Sequence, residues 1–109
     1  MGYQVKYKVW VEADGASFLG SGRIKLLKAV DELGSLNKAA KLLNISYKKA
    51  WDLIKSVNDA GQESMTTTTI GGSAGGGMRL TPYAKKMITQ FENLHNHTSD
   101  FIKHQRIES

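Results

Sequence analysis

The sequence predicts an α+β fold, mainly α, with an N-terminal β-hairpin, three helices, a second hairpin and a long C-terminal helix. Residues 3–13 alternate apolar and polar side chains, the period of a half-buried strand. From Ile24 to Val57 the apolar spacing changes to three and four, broken at Gly34-Ser35 and at Asn44-Ile45-Ser46. A β-branched run, a glycine cluster and Thr81-Pro82 follow, and helical spacing then resumes toward Arg106. With 109 residues, 40% of them hydrophobic, the chain is sized for one domain, 1–109, around a modest core.

Val5, Tyr7, Val9 and Val11 form one side of the first strand, and Asp14-Gly15 turns it into a short second strand within a hairpin spanning 3–19. Three helices are expected over 21–60. Ser21 is read as the N-cap of the first, whose Ile24, Leu27, Val30 and Leu33 precede a stop at Gly34. Ser35 caps the second, and Asn44 suits the left-handed conformation that ends it. Ser46 caps the third, which runs to about Asn58. Residues 65–80 read as a hairpin with a glycine-rich tip, and 82–106 as a helix with proline at its first position.

The absence of cysteine excludes disulfides and thiolate metal sites. No apolar run is long enough to span a bilayer and the N-terminus alternates, so a cytoplasmic chain with no membrane contact is expected. The net charge is +5, and its whole excess lies between Arg23 and Lys55, where eight basic residues face three acidic ones. Confinement of the charge to one stretch points to a polyanionic partner.

Residues 36–55 meet the requirements of a helix-turn-helix. Ala40 permits a close crossing, Asn44 permits the tight turn, and Ala39, Leu43, Ile45, Ala50 and Leu53 lock the pair. Ala50, Leu53, Ile54 and Val57 form the inward stripe of the third helix. Opposite them lie Lys48, Asp52 and Lys55, with Tyr47 and Lys49 toward the flanks. Such a helix enters the major groove by its N-terminal end, which nominates Ser46, Tyr47, Lys48, Lys49 and Asp52 for reading bases. Lys48 and Asp52 also have the spacing of an ordinary helix-surface ion pair. Tyr47 either stacks on the nucleic acid or covers the turn, and Trp51 is read first as packing. Lys38, Lys41, Lys55 and Arg79 are nominated for the phosphate backbone.

A hairpin placed directly after a recognition helix makes the arrangement a winged helix-turn-helix. The expected wing tip is Gly71, Gly72, Ser73, Gly75, Gly76 and Gly77. These glycines lack the Lys-Ser/Thr of a phosphate-binding loop and follow no strand–helix unit, so nucleotide-binding readings fail.

SLNKAAKLLNISYKKAWDLI (Ser35–Ile54) followed by GGSAGGGMRLTPYAKKMI (Gly71–Ile88) resembles the N-terminal DNA-binding domain of the molybdate-responsive ModE regulators, and more distantly the LysR-type winged helix. The resemblance implies a homodimeric transcription factor whose long helix joins two copies, with Met87, Phe91, Leu94 and Phe101 as the dimer stripe. That family continues into molybdate-binding domains, whereas this chain ends at Ser109, so molybdate sensing is not expected. The family's wing also often carries a basic residue where Ser73 and Ala74 stand here, leaving Arg79 as the nearest cation.

The alternative is a winged-helix module that docks a protein partner and has lost DNA binding. An enzyme is not expected, because no nucleophile–base pair or carboxylate dyad is legible. His97, Asp100 and His104 share a helical face but read as solvated surface, so no metal or other cofactor is expected. No residue pattern identifies a small-molecule effector.

Overall fold

The computed structural model describes residues 2–69 and 77–109. The elements are β1 (Trp10–Ala13), β2 (Ala16–Gly20), α1 (Ser21–Leu33), α2 (Leu36–Leu42), α3 (Tyr47–Ala60), β3 (Thr66–Thr69), β4 (Gly77–Leu80) and α4 (Pro82–Lys103). This is the expected mainly α winged helix-turn-helix, with two separate antiparallel hairpins, β1–β2 and β3–β4. None of the described helices is long and apolar enough to cross a membrane.

Asp14 and Gly15 both take positive φ, 51° and 83°, and close the first hairpin in the sense that strand twist favours. The strand expected over 3–13 is cut to Trp10–Ala13. Trp10 pairs with Gly20, and the chain turns into α1 immediately afterwards, so the residues before Trp10 meet no ladder partner. Val5 and Val9 stay half-buried there. The same continuity moves the first helix cap. Gly20, the last extended residue of β2, is the N-cap of α1 and offers no side-chain bond, while Ser21 is already helical.

The other punctuation falls at the expected residues. Gly34 ends α1 in the left-handed region at φ 65°. Ser35, Ser46 and Thr81 each cap a helix by accepting a backbone N–H, from Lys38, Lys49 and Ala84 respectively. Asn44 takes φ 57° between α2 and α3. The last helix stops at Lys103, three residues before the expected end.

The core gathers Phe18 and Leu19 of β2, Leu26, Leu27 and Val30 of α1, and the inner faces of the remaining helices. Ala39, Ala40 and Ala50 are buried where α2 crosses α3, so the absence of longer side chains lets the two helices approach. Ile54 and Val57 continue the inward stripe of α3, while Leu53 is only half-buried. In α4 only Ala84, Ile88 and Phe91 are buried, and the helix then runs on for twelve residues, 92–103. Tyr7 reaches this extension, its ring 6.0 Å from that of His95.

The second hairpin is fixed at its base by polar side chains of neighbouring helices. Asn58 Oδ1 accepts the Met65 N–H at 2.6 Å and the Thr66 N–H at 3.2 Å, and its Nδ2 donates to Thr66 Oγ1 at 3.0 Å. On the other strand, the Leu80 N–H donates to Asp31 Oδ1 at 3.1 Å and Arg79 Nη1 to the Asp31 carbonyl at 2.9 Å. The Met78 N–H reaches the Gly34 carbonyl at 3.1 Å. This approach requires Gly77, where a Cβ would sit 3.2 Å from the Gly34 carbonyl and 2.9 Å from Thr69 Oγ1. Gly77 therefore belongs to the docked strand β4 and not to the wing tip where the sequence put it. The other expected tip residues, Gly71, Gly72, Ser73, Gly75 and Gly76, lie outside the described residues.

Asn58→Ala strips partners from two backbone amides beside the fully buried Met65. A loss of about 2–4 kcal/mol in urea-unfolding free energy is expected, at about 1–3 kcal/mol per orphaned group. Asn58→Asp keeps the acceptor and should lose less. Gly34→Ala forces a side chain into the left-handed region, with an expected cost of about 1 kcal/mol in the same measurement.

Candidate nucleic-acid interface

The outer face of α3 is built by what its inner face must bury. With Ala50, Ile54 and Val57 turned inward, Tyr47, Lys48, Trp51, Asp52 and Lys55 are all exposed. Ser46 stands at the head of the helix, its Oγ accepting the Lys49 N–H at 3.0 Å, so its hydroxyl proton remains the group free to meet a partner.

Trp51, read from the sequence as packing, is 45% exposed and lies one turn beyond Tyr47 at 53%. Leu42, at the end of α2, is 64% exposed. The face thus carries two aromatic rings beside its lysines. The available signal was the four-residue interval between Tyr47 and Trp51, which sets both on one face of the helix.

The cations divide into two groups. Lys48 Nζ pairs with Asp52 at 3.0 Å and Lys55 Nζ with Asp59 at 2.8 Å, each one helical turn apart. The hydrogen bond that Lys55 donates to the Asp59 carboxylate, with that carboxylate's charge acting alongside, raises the lysine's pKa above its usual value. Lys55 is therefore charged at neutral pH, with an opposite charge beside it. Lys38 and Lys41 on α2 and Lys49 on α3 are exposed and have no ion-pair partner among the described residues.

Two nominated residues are placed differently from their expected roles. Arg79 is exposed, but it donates to the Asp31 carbonyl, and its guanidinium lies 3.4 Å from where a Cβ on Gly34 would stand. That bond ties the wing to α1, while Arg79 stays exposed with further N–H groups on its guanidinium. Phe91, expected in the dimer stripe, is 5% exposed in this chain's own core, because α4 must cover α1 before it extends. Met87 is half-buried against that core, whereas Leu94 and Phe101 are 46% and 65% exposed. His104 Nδ1 lies 2.7 Å from the Asp100 carbonyl, turning the ring to its own helix backbone. Among the described residues no His, Asp and Glu side chains gather in a group fit to hold a metal.

No family model matches the chain. It is similar to the molybdenum transport protein ModE of Azotobacter vinelandii, 37% identical over 84 residues, or 77% of this chain and 31% of that protein. It is similar also to the transcriptional regulator ModE of Haemophilus influenzae, 34% identical over 84 residues, or 77% of this chain and 33% of that one. The DNA-binding transcriptional dual regulator ModE of Escherichia coli K12 is 38% identical over 77 residues, 71% of this chain and 29% of that protein. The chain thus spans about a third of the length of these relatives. The resemblance to the N-terminal region of ModE, drawn above from motifs, holds over about three quarters of the chain.

Because the outer face of α3 makes no contact with the core, its polar residues contribute little to stability. Lys48→Ala and Asp52→Ala are each expected to change the unfolding free energy by less than about 0.5 kcal/mol. A double-mutant cycle should return a coupling of about 0.3–0.5 kcal/mol, the range of exposed helix pairs.

Proposed function

We propose that this chain is a sequence-specific, double-stranded-DNA-binding transcriptional regulator of ModE type, acting as a homodimer. The observation that carries the reading is the outer face of α3. It bears exposed Tyr47, Lys48, Trp51 and Asp52 and is flanked by Lys38, Lys41 and Lys49, which have no ion-pair partner among the described residues. A protruding helix of this kind followed by a docked hairpin fits the major groove, with the hairpin toward the adjoining backbone. The names of the ModE relatives support the same reading. It assigns these residues no part in molybdate binding and no catalytic chemistry.

In this reading Lys48 donates to guanine and Asp52 orients it, or accepts from cytosine. Ser46, Tyr47, Lys49 and Trp51 contact bases or sugars beside them. Lys38, Lys41 and the exposed Arg79 neutralise phosphates, and Lys55 does so where a phosphate displaces Asp59. The exposed Leu94 and Phe101 on the α4 extension are the surface through which two copies meet. Two-fold symmetry then sets two recognition helices about 34 Å apart, one turn of the duplex, or a multiple of it.

A second reading, a protein-docking module, draws support from the exposed apolar side chains Leu42, Tyr47 and Trp51 and from Lys48 and Lys55, which are already ion-paired. Salt dependence separates the two. Phosphate-driven binding to duplex should fall by about one log unit in affinity per log unit of salt for each phosphate engaged, and Lys41→Ala should reduce that slope by about one. Binding that is absent at low salt, or insensitive to salt, favours the docking module.

Lys48→Ala should lose about 1–3 kcal/mol of discrimination at one base position, measured by competition among single-base operator variants. Uniform weakening across all variants makes Lys48 a phosphate contact. Leu94→Glu combined with Phe101→Glu should convert the dimer to a monomer in sedimentation analysis and remove the preference for two half-sites. A wild-type chain that sediments as a monomer overturns the dimer.

A further inference from the structure

A groove of about 740 Å³ runs between the first hairpin and the helix-turn-helix, adjoining the face already described at Lys49. Its floor is apolar. Leu19 and Leu26 close it from the core, and Trp10, Leu43, Ile45 and Leu53 form its walls. Lys8, Arg23, Lys25 and Lys49 stand around it, and no carboxylate lines it among the described residues. Arg23 is held in place by bonds from Nη1 to the Ser17 carbonyl at 3.2 Å and to Ser56 Oγ at 2.8 Å. Two acids stand nearby without lining the groove: Glu12 accepts the indole N–H of Trp10, and Asp52 is paired with Lys48.

We propose that this groove binds a small amphipathic organic anion, an aromatic or aliphatic body bearing a carboxylate, sulfonate or comparable group. The volume lies within the roughly 300–1,000 Å³ typical of small-molecule sites. Four cations with no lining carboxylate select the charge of the ligand, and the apolar floor selects its body. An inorganic anion leaves Trp10, Leu43 and Leu53 uncovered, and a duplex backbone brings no apolar surface to cover them. Lys49 belongs both to the rim of the groove and to the first turn of α3. Resting on the DNA-binding reading above, an anion held at Lys49 removes a cation from the duplex face, so ligand and duplex oppose each other reciprocally.

The test titrates the full chain with 8-anilinonaphthalene-1-sulfonate without DNA, following dye emission and quenching of Trp10 against a Trp10→Phe control. One saturable site per chain is expected. Lys25→Glu and Lys8→Glu alter exposed residues outside the proposed duplex face, and each should weaken the dye about five-fold. The uncharged N-phenyl-1-naphthylamine should bind about ten-fold more weakly than the sulfonate. Equal binding of the neutral dye, unchanged affinity in both lysine variants, or a dimer in solution that excludes the dye overturns the site. In a second arm, saturating duplex should weaken the dye; dye binding indifferent to bound duplex overturns the coupling. Failure of the chain to bind any duplex, with the dye results as expected, overturns the regulator reading and supports the groove.

Discussion

Three backbone N–H groups at the base of the second hairpin, those of Met65, Thr66 and Leu80, are satisfied by two side chains on helices, Asn58 and Asp31. A two-stranded hairpin is marginal in isolation, and this one has four residues in each strand. Its position comes from those bonds, from burial of Met65, and from the approach of β4 to the Gly34 carbonyl. Because Asn58 sits on α3 and Asp31 on α1, the wing is referred to both helices at once. Any function that needs the wing and the outer face of α3 in fixed relation depends on that double attachment.

The second constraint is steric. Ala39, Ala40 and Ala50 bring α2 against α3, and the left-handed Asn44 lets the chain turn between them within residues 43–46. A close crossing leaves the opposite sides of both helices in solvent, and the unpaired lysines stand there. Lys48 and Lys55 are held by carboxylates one turn away, which fixes their direction and lowers the net field. The long-range attraction of this face for a polyanion therefore rests on Lys38, Lys41 and Lys49. Lys49 is also the point where the face meets the groove behind the first hairpin, so charge at that residue links two surfaces that share no other lysine.

Much of the fold was legible because its signals are local. Ser35, Ser46 and Thr81 cap helices through oxygens three residues from the N–H they accept, and Gly34 and Asn44 adopt the φ their residue types tolerate. The inward stripe of α3 followed from helical period alone. The first strand was misread for the opposite reason. Alternation in 3–9 describes which side chains can face a core, but a strand also needs a partner, and β2 ends at Gly20. Trp51, read first as packing, is left 45% exposed, because an aromatic ring on a flank is fully buried only where a neighbouring element covers it.

The sequence by itself determined the order of the elements, the N-caps of α2, α3 and α4, the stop of α1 at Gly34, the turn between α2 and α3, and which side of α3 faces outward. These depend on interactions within a few residues, so composition and spacing specify them. Tertiary structure alone decided that Asn58 and Asp31 hold the wing and that Arg79 and Gly77 serve its docking. It also set the limit of burial in α4 at Phe91 and gathered four cations around an apolar groove. Each of those brings together residues far apart along the chain, and no periodicity in the sequence records which distant partners will meet.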